Sequence, residues 1–165
     1  MFLAAGSAKV QFRASTTAAT LAETKYRVVI QHNVRARMRD GIWLVADVYR
    51  PEAEGRFPVL LERTPYNRVG ESGMAYELAA HGYIVVLQDT RGRYESGGEF
   101  YPFRDEGQDG YDTVEWAAQL EQSDGKVGMF GGSYVGATQM LAASLRPPHL
   151  LAIFPYVTAS EYYDG

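Results

Sequence analysis

The stretch Val127-Gly-Met-Phe-Gly-Gly-Ser133-Tyr-Val-Gly-Ala137 decides the fold. It opens as a short apolar run, passes through glycines, and from Val135 to Leu145 reads as a helix. A strand, a tight turn and a helix in that order lift a serine hydroxyl to the C-terminal edge of a sheet, where open α/β sheets hold their sites. Gly131 and Gly132 before the serine, and Gly136 one turn into the helix, leave out bulk where strand and helix meet. The first N–H groups of the helix point at the same place and, helped by the helix dipole, can stabilise an oxyanion. The glycines stand two before and three after Ser133, so the generic G-x-S-x-G spacing is not met. Phosphate-loop readings fit worse. Ser133 takes the second glycine position of a G-x-G-x-x-G counted from Gly131, and no lysine follows as a Walker loop requires. The competing reading is a packing turn with an idle serine.

Working outward, Val59–Leu61, Ile84–Leu87 and Leu150–Phe154 are further continuous apolar runs. Strands buried on both faces read this way, as in a parallel sheet covered by helices. Helical stretches fall near Met74–His81 and Asp109–Leu120, and Pro147-Pro148 stops the helix that follows Ser133. The alternation predicts an α/β fold with right-handed crossovers. Ahead of it, Arg27–Met38 and Leu44–Val48 alternate at period two around Asp40-Gly41, which predicts an antiparallel β-hairpin. Val28, Ile30, His32, Val34, Ala36 and Met38 should share one face, leaving Arg35, Arg37 and Arg39 toward water. Residues 1–24, rich in Ala, Ser and Thr, read as a flexible tail, and 25–165 as a partial catalytic domain.

Composition narrows the function. The 165 residues are 46% hydrophobic and 22% charged, with a formal net charge of −4, which argues against nucleic acid or an anionic membrane as partner. The first fifty residues carry a net +5 and the rest −9, but the basic half is accounted for by arginines on the wet face of a strand. There is no cysteine, so disulfides and thiolate chemistry are out. No apolar run approaches the roughly 18 residues of a membrane span. No leader is recognisable, so the cytoplasm is the default expectation. Asp105–Trp116 compares poorly with a calcium loop: Gly107 supplies no side-chain oxygen, and Trp116 stands where a bidentate Glu belongs. Asp109 and Asp112 read instead as carboxylates at a helix N-terminus. Neither metal nor cofactor is expected.

Four segments, in order, carry a family resemblance: Met38-Arg-Asp-Gly-Ile-Trp-Leu44 with Asp47-Val-Tyr-Arg-Pro51; Arg63-Thr-Pro-Tyr66; His81-Gly-Tyr83 through Gln88-Asp-Thr-Arg-Gly-Arg93 to Ser96-Gly-Gly-Glu-Phe100; and Lys126 to Gln139. Over about residues 27–155 the chain resembles the α/β-hydrolase serine enzymes that include X-Pro dipeptidyl-peptidases, cocaine esterase, glutaryl and cephalosporin acylases and α-amino-acid ester hydrolases. Ser-Tyr-x-Gly is that family's own form of the turn. The resemblance implies an acyl-enzyme on Ser133 and a small ester, amide or X-Pro peptide substrate. It also implies an oxyanion hole from the Tyr66 hydroxyl and the Tyr134 backbone N–H. A phenol suits that role as a neutral donor at pH 7. Asp89 and Arg91, at the end of a buried strand, have two readings: contact with substrate, or an ion pair bracing adjacent loops. Leu120–Lys126 departs from the family's usual Pro-Trp, away from the chemistry.

A serine needs a base. In this fold the triad runs Ser, then Asp or Glu, then His, but His32 and His81 precede Ser133, and His149 stands before a strand, at the opposite sheet edge. Glu161 and Asp164 fall where the family enters its cap. The expectation is a chain truncated before the cap and the Asp and His strands, close to inactive alone. Its last strand, Leu150–Phe154, is then an exposed apolar edge prone to self-association. The alternative is an incomplete fragment serving at most as a binding module.

Overall fold

Asp40-Gly41 turns the chain back on itself as its residues require: Gly41 takes φ +89°, and Met38 and Ile42 close the turn with a hydrogen bond of 2.8 Å. In the computed structural model, which describes residues 25–159, this hairpin joins β1 (Val28–Arg37) to β2 (Trp43–Pro51). There follow β3 (Phe57–Thr64), a 3₁₀ turn (Arg68–Glu71), α1 (Ser72–Ala80), β4 (Ile84–Asp89), α2 (Glu106–Ala118), β5 (Ser123–Gly132), α3 (Tyr134–Ser144) and β6 (Leu150–Tyr156). They form one sheet of order β1-β2-β4-β3-β5-β6. The first two strands run antiparallel, and β4, β3, β5 and β6 run parallel. This mixed sheet with helices on both faces is the arrangement of part of an α/β-hydrolase fold. The expected tail, residues 1–24, lies outside the described residues, as do Glu161 and Asp164.

Both faces of the parallel strands are covered, which is why their sequences run apolar without a break. On one face Val59, Leu61, Ile84, Val86, Val127 and Met129 pack under α2 and α3 through Val114, Ala117 and Ala142. On the other, Tyr49, Val85 and Leu87 pack under α1 through Ala75 and Ala79. Fully burying each Val, Leu or Ile contributes on the order of 1.5–3 kcal/mol, so this double layer is a rigid platform for whatever stands at its C-terminal edge.

The hairpin departs from the expected single face. Gln31 pairs with Val48 but Val34 with Ala46, so one residue too many lies between them, and Asn33 takes φ +58°. This bulge reverses the alternation. Val28 packs on the α1 side, Val34 on the α2 side, and Ile30 and His32 stay exposed. Arg35 and Arg37 do face water. Arg39 lies beyond the strand and binds Asp112 at 2.7 Å. Asp112 is therefore a loop anchor rather than a helix-end charge alone.

Candidate active site

β3 and β5 are parallel neighbours, with Leu61 opposite Met129. Continuing both chains past their strands brings the residue after Pro65 and the residue after Gly132 to the same edge of the sheet. Tyr66 and Ser133 meet there, with Tyr66 Oη 3.4 Å from Ser133 Oγ. Tyr66 is 60% exposed, so the pair is open to a ligand.

The turn at Ser133 is strained. Its φ of +57° and ψ of −128° are sparsely populated for a side chain with Cβ, costing about 1–3 kcal/mol. The neighbouring glycines permit it. A Cβ on Gly131, whose φ is +125°, would lie 2.3 Å from Val135 of α3, and one on Gly132 would meet the Tyr156 ring at 2.4 Å. At Gly136 the obstacle is Thr158, at 2.7 Å. Buried Gln139 holds the turn from below, donating to Gly131 O at 2.9 Å and accepting from Phe154 N–H at 3.0 Å.

The Ser133 N–H donates to Tyr156 O at 3.0 Å and is spent on the sheet. The next amide, Tyr134 N–H, is the first of α3 and has no intrahelical acceptor. The Tyr134 side chain turns away. Its hydroxyl donates to Glu106 at 2.9 Å and accepts from Phe103 N–H at 3.1 Å, and its ring stacks on Phe103 at 4.8 Å. Burial, with the Glu106 charge beside it, pushes this phenol's pKa up, so it stays protonated and anchors the helix start.

The Tyr66 loop is clamped. Tyr66 N–H donates to Thr64 Oγ1 at 3.0 Å, and Arg93 donates to Pro65 O at 3.0 Å. Two residues on, buried Arg68 gathers Asp47 at 3.1 Å, Glu95 at 2.5 Å, Asn33 and Asp89. Burial opposes its charge, but the hydrogen bonds it donates to Glu95, Asp47 and Asp89 outweigh it and raise its pKa. Burial raises the Asp89 carboxyl, only partly offset by Arg68, whereas Asp47 ends below its usual range because the Asn33 N–H, His32 and Arg68 outweigh its burial.

Asp89 and Arg91 do not pair with each other. Asp89, the last residue of β4, turns to Arg68, while Arg91 binds Asp109 at 2.5 Å and Asp40 at 2.7 Å, tying α2 to the hairpin turn. Asp109 is thus an ion-pair partner, not a free helix-end charge. Both residues brace loops, each with its own partner.

Sequence reasoning missed Arg68, Gln139 and Glu62. Glu62, penultimate but one in β3, is 5% exposed and has neither hydrogen bond nor ion pair among the described residues. It lines a cavity of about 340 Å³ beside Tyr66 and Ser133, together with Thr64, Glu71, Met74, Phe130 and Tyr156. Burial, then the charge of Glu71, pushes its carboxyl up to about 7. A second cavity of about 270 Å³, lined by Phe103, Tyr134 and Ala137, lies against Tyr66 and Ser133 as well. Both cavities border Tyr66 and Ser133.

The three histidines are elsewhere. His32 bonds Asp47 at 3.0 Å, His81 bonds Glu77 O at 2.7 Å at the end of α1, and His149 bonds Glu115 at 2.8 Å at the far end of the sheet.

The chain is similar to known proteins. The sequence profile of X-Pro dipeptidyl-peptidase (S15 family) matches residues 40–165. Cocaine esterase of Rhodococcus sp. (strain MB1 Bresler) is 43% identical over 140 residues, covering 81% of this chain and 24% of that protein. A CocE/NonD family hydrolase from Staphylococcus aureus superposes with a TM-score of 0.71 at 30% identity, over 76% of this chain and 27% of its own. An α-amino acid ester hydrolase gives 0.74 at 28% identity, over 90% and 29%. The chain spans about a quarter of the length of the curated relative.

Proposed function

Because this chain belongs to the X-Pro dipeptidyl-peptidase (S15) family of hydrolases, we propose that it cleaves carboxylic ester or amide bonds, X-Pro peptides among the candidates, through an acyl-enzyme on Ser133. The observation that carries this reading is the 3.4 Å approach of the Tyr66 hydroxyl to a serine held at φ +57°. An idle serine has no need of that strain.

Ser133 Oγ attacks the substrate carbonyl carbon as its proton passes to a base. The tetrahedral oxyanion accepts hydrogen bonds from Tyr66 Oη–H and Tyr134 N–H, donors already in place before charge develops. Collapse expels the alcohol or amine, which takes up the proton, and water repeats the sequence on the acyl-enzyme. Losing one oxyanion donor typically lowers kcat by about 10²–10³. No histidine of these 165 residues adjoins Ser133, so this polypeptide alone should turn over slowly, by the roughly 10⁴–10⁶ that loss of a triad partner costs.

An alkyl phosphonofluoridate reports on nucleophile and oxyanion hole together. The expected result is one adduct, on Ser133, absent in Ser133→Ala and formed more slowly in Tyr66→Phe. Labelling spread over other serines, or unchanged in Ser133→Ala, overturns the proposal. Ordinary p-nitrophenyl ester turnover by this polypeptide, abolished by Ser133→Ala, would overturn the expectation of slow turnover.

A further inference from the structure

Arg63, Glu106 and the Tyr134 hydroxyl form a buried chain that the proposed chemistry does not use. Arg63 lies in β3, three residues before Tyr66, and Glu106 opens α2; they are 0% and 3% exposed. Arg63 Nη1 is 2.8 Å from Glu106 Oε2 and donates to the Glu106 backbone oxygen at 3.1 Å, while Nε donates to Gln88 at 2.9 Å. The other Glu106 oxygen accepts from the Tyr134 hydroxyl at 2.9 Å, and Phe103 N–H donates to that hydroxyl at 3.1 Å. A second tie is more direct. Thr138, one turn further along α3, donates to the Arg63 backbone oxygen at 3.2 Å. The start of α3 is thus fastened twice to one residue of β3, the strand that leads to Tyr66.

Stability alone accounts poorly for charges at this place. Desolvating an ion pair is costly, and well-packed apolar residues serve a core as well or better. Among the described residues Arg63 Nη2 has no hydrogen-bond acceptor, with Asp109 3.9 Å away. What the pair supplies, and apolar packing does not, is direction: Glu106, fixed by Arg63, offers one oxygen to one hydroxyl. The Tyr134 ring is held between that contact and its stack on Phe103, and the residue so held carries the first N–H of α3.

We propose that Glu106 is a positioning residue of the oxyanion hole: held by Arg63, it anchors the Tyr134 hydroxyl and so sets where the Tyr134 N–H stands relative to the Tyr66 hydroxyl. This rests on the serine-hydrolase reading above. Arg63 belongs to the strand that delivers Tyr66, and Tyr134 opens the helix that follows Ser133, so the chain of contacts spans both donors from behind. Glu106 lines neither of the two cavities at Ser133 and moves no proton. Burial, with the Glu106 charge beside it, keeps the phenol protonated, so the anchor persists whatever charge develops at Ser133.

Saturation kinetics of phosphonofluoridate labelling at Ser133 test this, because they separate the limiting rate from the half-saturating concentration. Tyr134→Phe removes one oxygen and keeps both the ring and the backbone N–H. It should lower the limiting rate about 10–100-fold and leave the half-saturating concentration within about twofold, as a displaced rather than deleted donor does. In Tyr66→Phe the same change should cost less than about threefold, because both donors serve one oxyanion. Glu106→Gln, which keeps an oxygen for the hydroxyl, should retain more of the rate than Glu106→Ala. A parental limiting rate in Tyr134→Phe, whatever its Tm, makes the brace merely structural and overturns the inference. So does a change confined to the half-saturating concentration, an equal cost with and without the Tyr66 hydroxyl, or equal rates in the two Glu106 variants. Should the Glu106 variants fail to fold because Arg63 loses its carboxylate, Tyr134→Phe decides alone, since it leaves that ion pair intact. A parent chain that does not label at Ser133 defeats the hydrolase reading and this inference with it, whereas a labelled parent with an indifferent Tyr134→Phe defeats the inference only.

Discussion

Replacing Glu62 by Gln should stabilise the protein at alkaline pH and do little at acid pH. The carboxyl is 5% exposed, unpartnered, and faces Glu71, and its pKa rises from an ordinary 4.5 to about 7. Below pH 4.5 folded and unfolded chains are both protonated there. Between 4.5 and 7 the unfolded chain ionises first, so the native state binds more protons and loses stability as pH rises through that window. Above 7 the loss is complete and corresponds to about 3 kcal/mol. Gln keeps the shape of the protonated form and carries no such penalty. Urea unfolding should therefore find Glu62→Gln more stable than the parent by about 3 kcal/mol at pH 8, shrinking below about 1 kcal/mol at pH 5, at unchanged m-value. A difference that is the same at both pH values, or a Gln variant less stable at pH 8, refutes the reasoning that this carboxyl is buried without a partner. Glu71→Gln should narrow the gap, because it removes the second cause of the shift.

Three further outcomes follow from the same geometry. Ser133→Gly should be more stable than Ser133→Ala by about 1–2 kcal/mol in urea unfolding, because glycine alone relieves a backbone at φ +57°; equal stabilities would mean the turn is not strained. Arg68→Met should cost about 3–5 kcal/mol by the same assay, since it leaves Asp89 and Asp47 buried without their cation; a loss below 1 kcal/mol would show the cluster is not built around Arg68. We also propose that β6, paired among the described residues only with β5 and carrying Phe154 at 67% exposure, makes this polypeptide self-associate. Sedimentation should show mass rising with concentration, reduced by Phe154→Lys; a monomer at all concentrations would refute this.

The sheet was legible because its strands are buried on both faces and advertise this as unbroken apolar runs, and Asp40-Gly41 marked the hairpin. The bulge at Asn33 was not, since nothing in an alternating run says where one residue too many will sit. Ser133, the glycines around it and Tyr66 were readable from local spacing and the family pattern, because parallel neighbours carry their next residues to one edge. The Arg68 cluster was hidden: residues 33, 47, 89 and 95 converge only after folding. Asp89 and Arg91 were read as a possible pair from closeness in sequence, but one ends a strand and the other crosses to α2. Glu62 did leave a trace, a charge among residues buried on both faces of a strand, which apolar pattern alone cannot convert into a role.

The most direct test is to mix the protein with a p-nitrophenyl ester, quench in acid, and locate the acyl group by mass spectrometry in the tryptic peptide covering residues 127–165. The expected product is a single acyl group on Ser133 rather than Ser144, missing in Ser133→Ala and forming about 10²–10³ times more slowly in Tyr66→Phe. An acyl group on any other residue, or one that survives Ser133→Ala, would contradict the account.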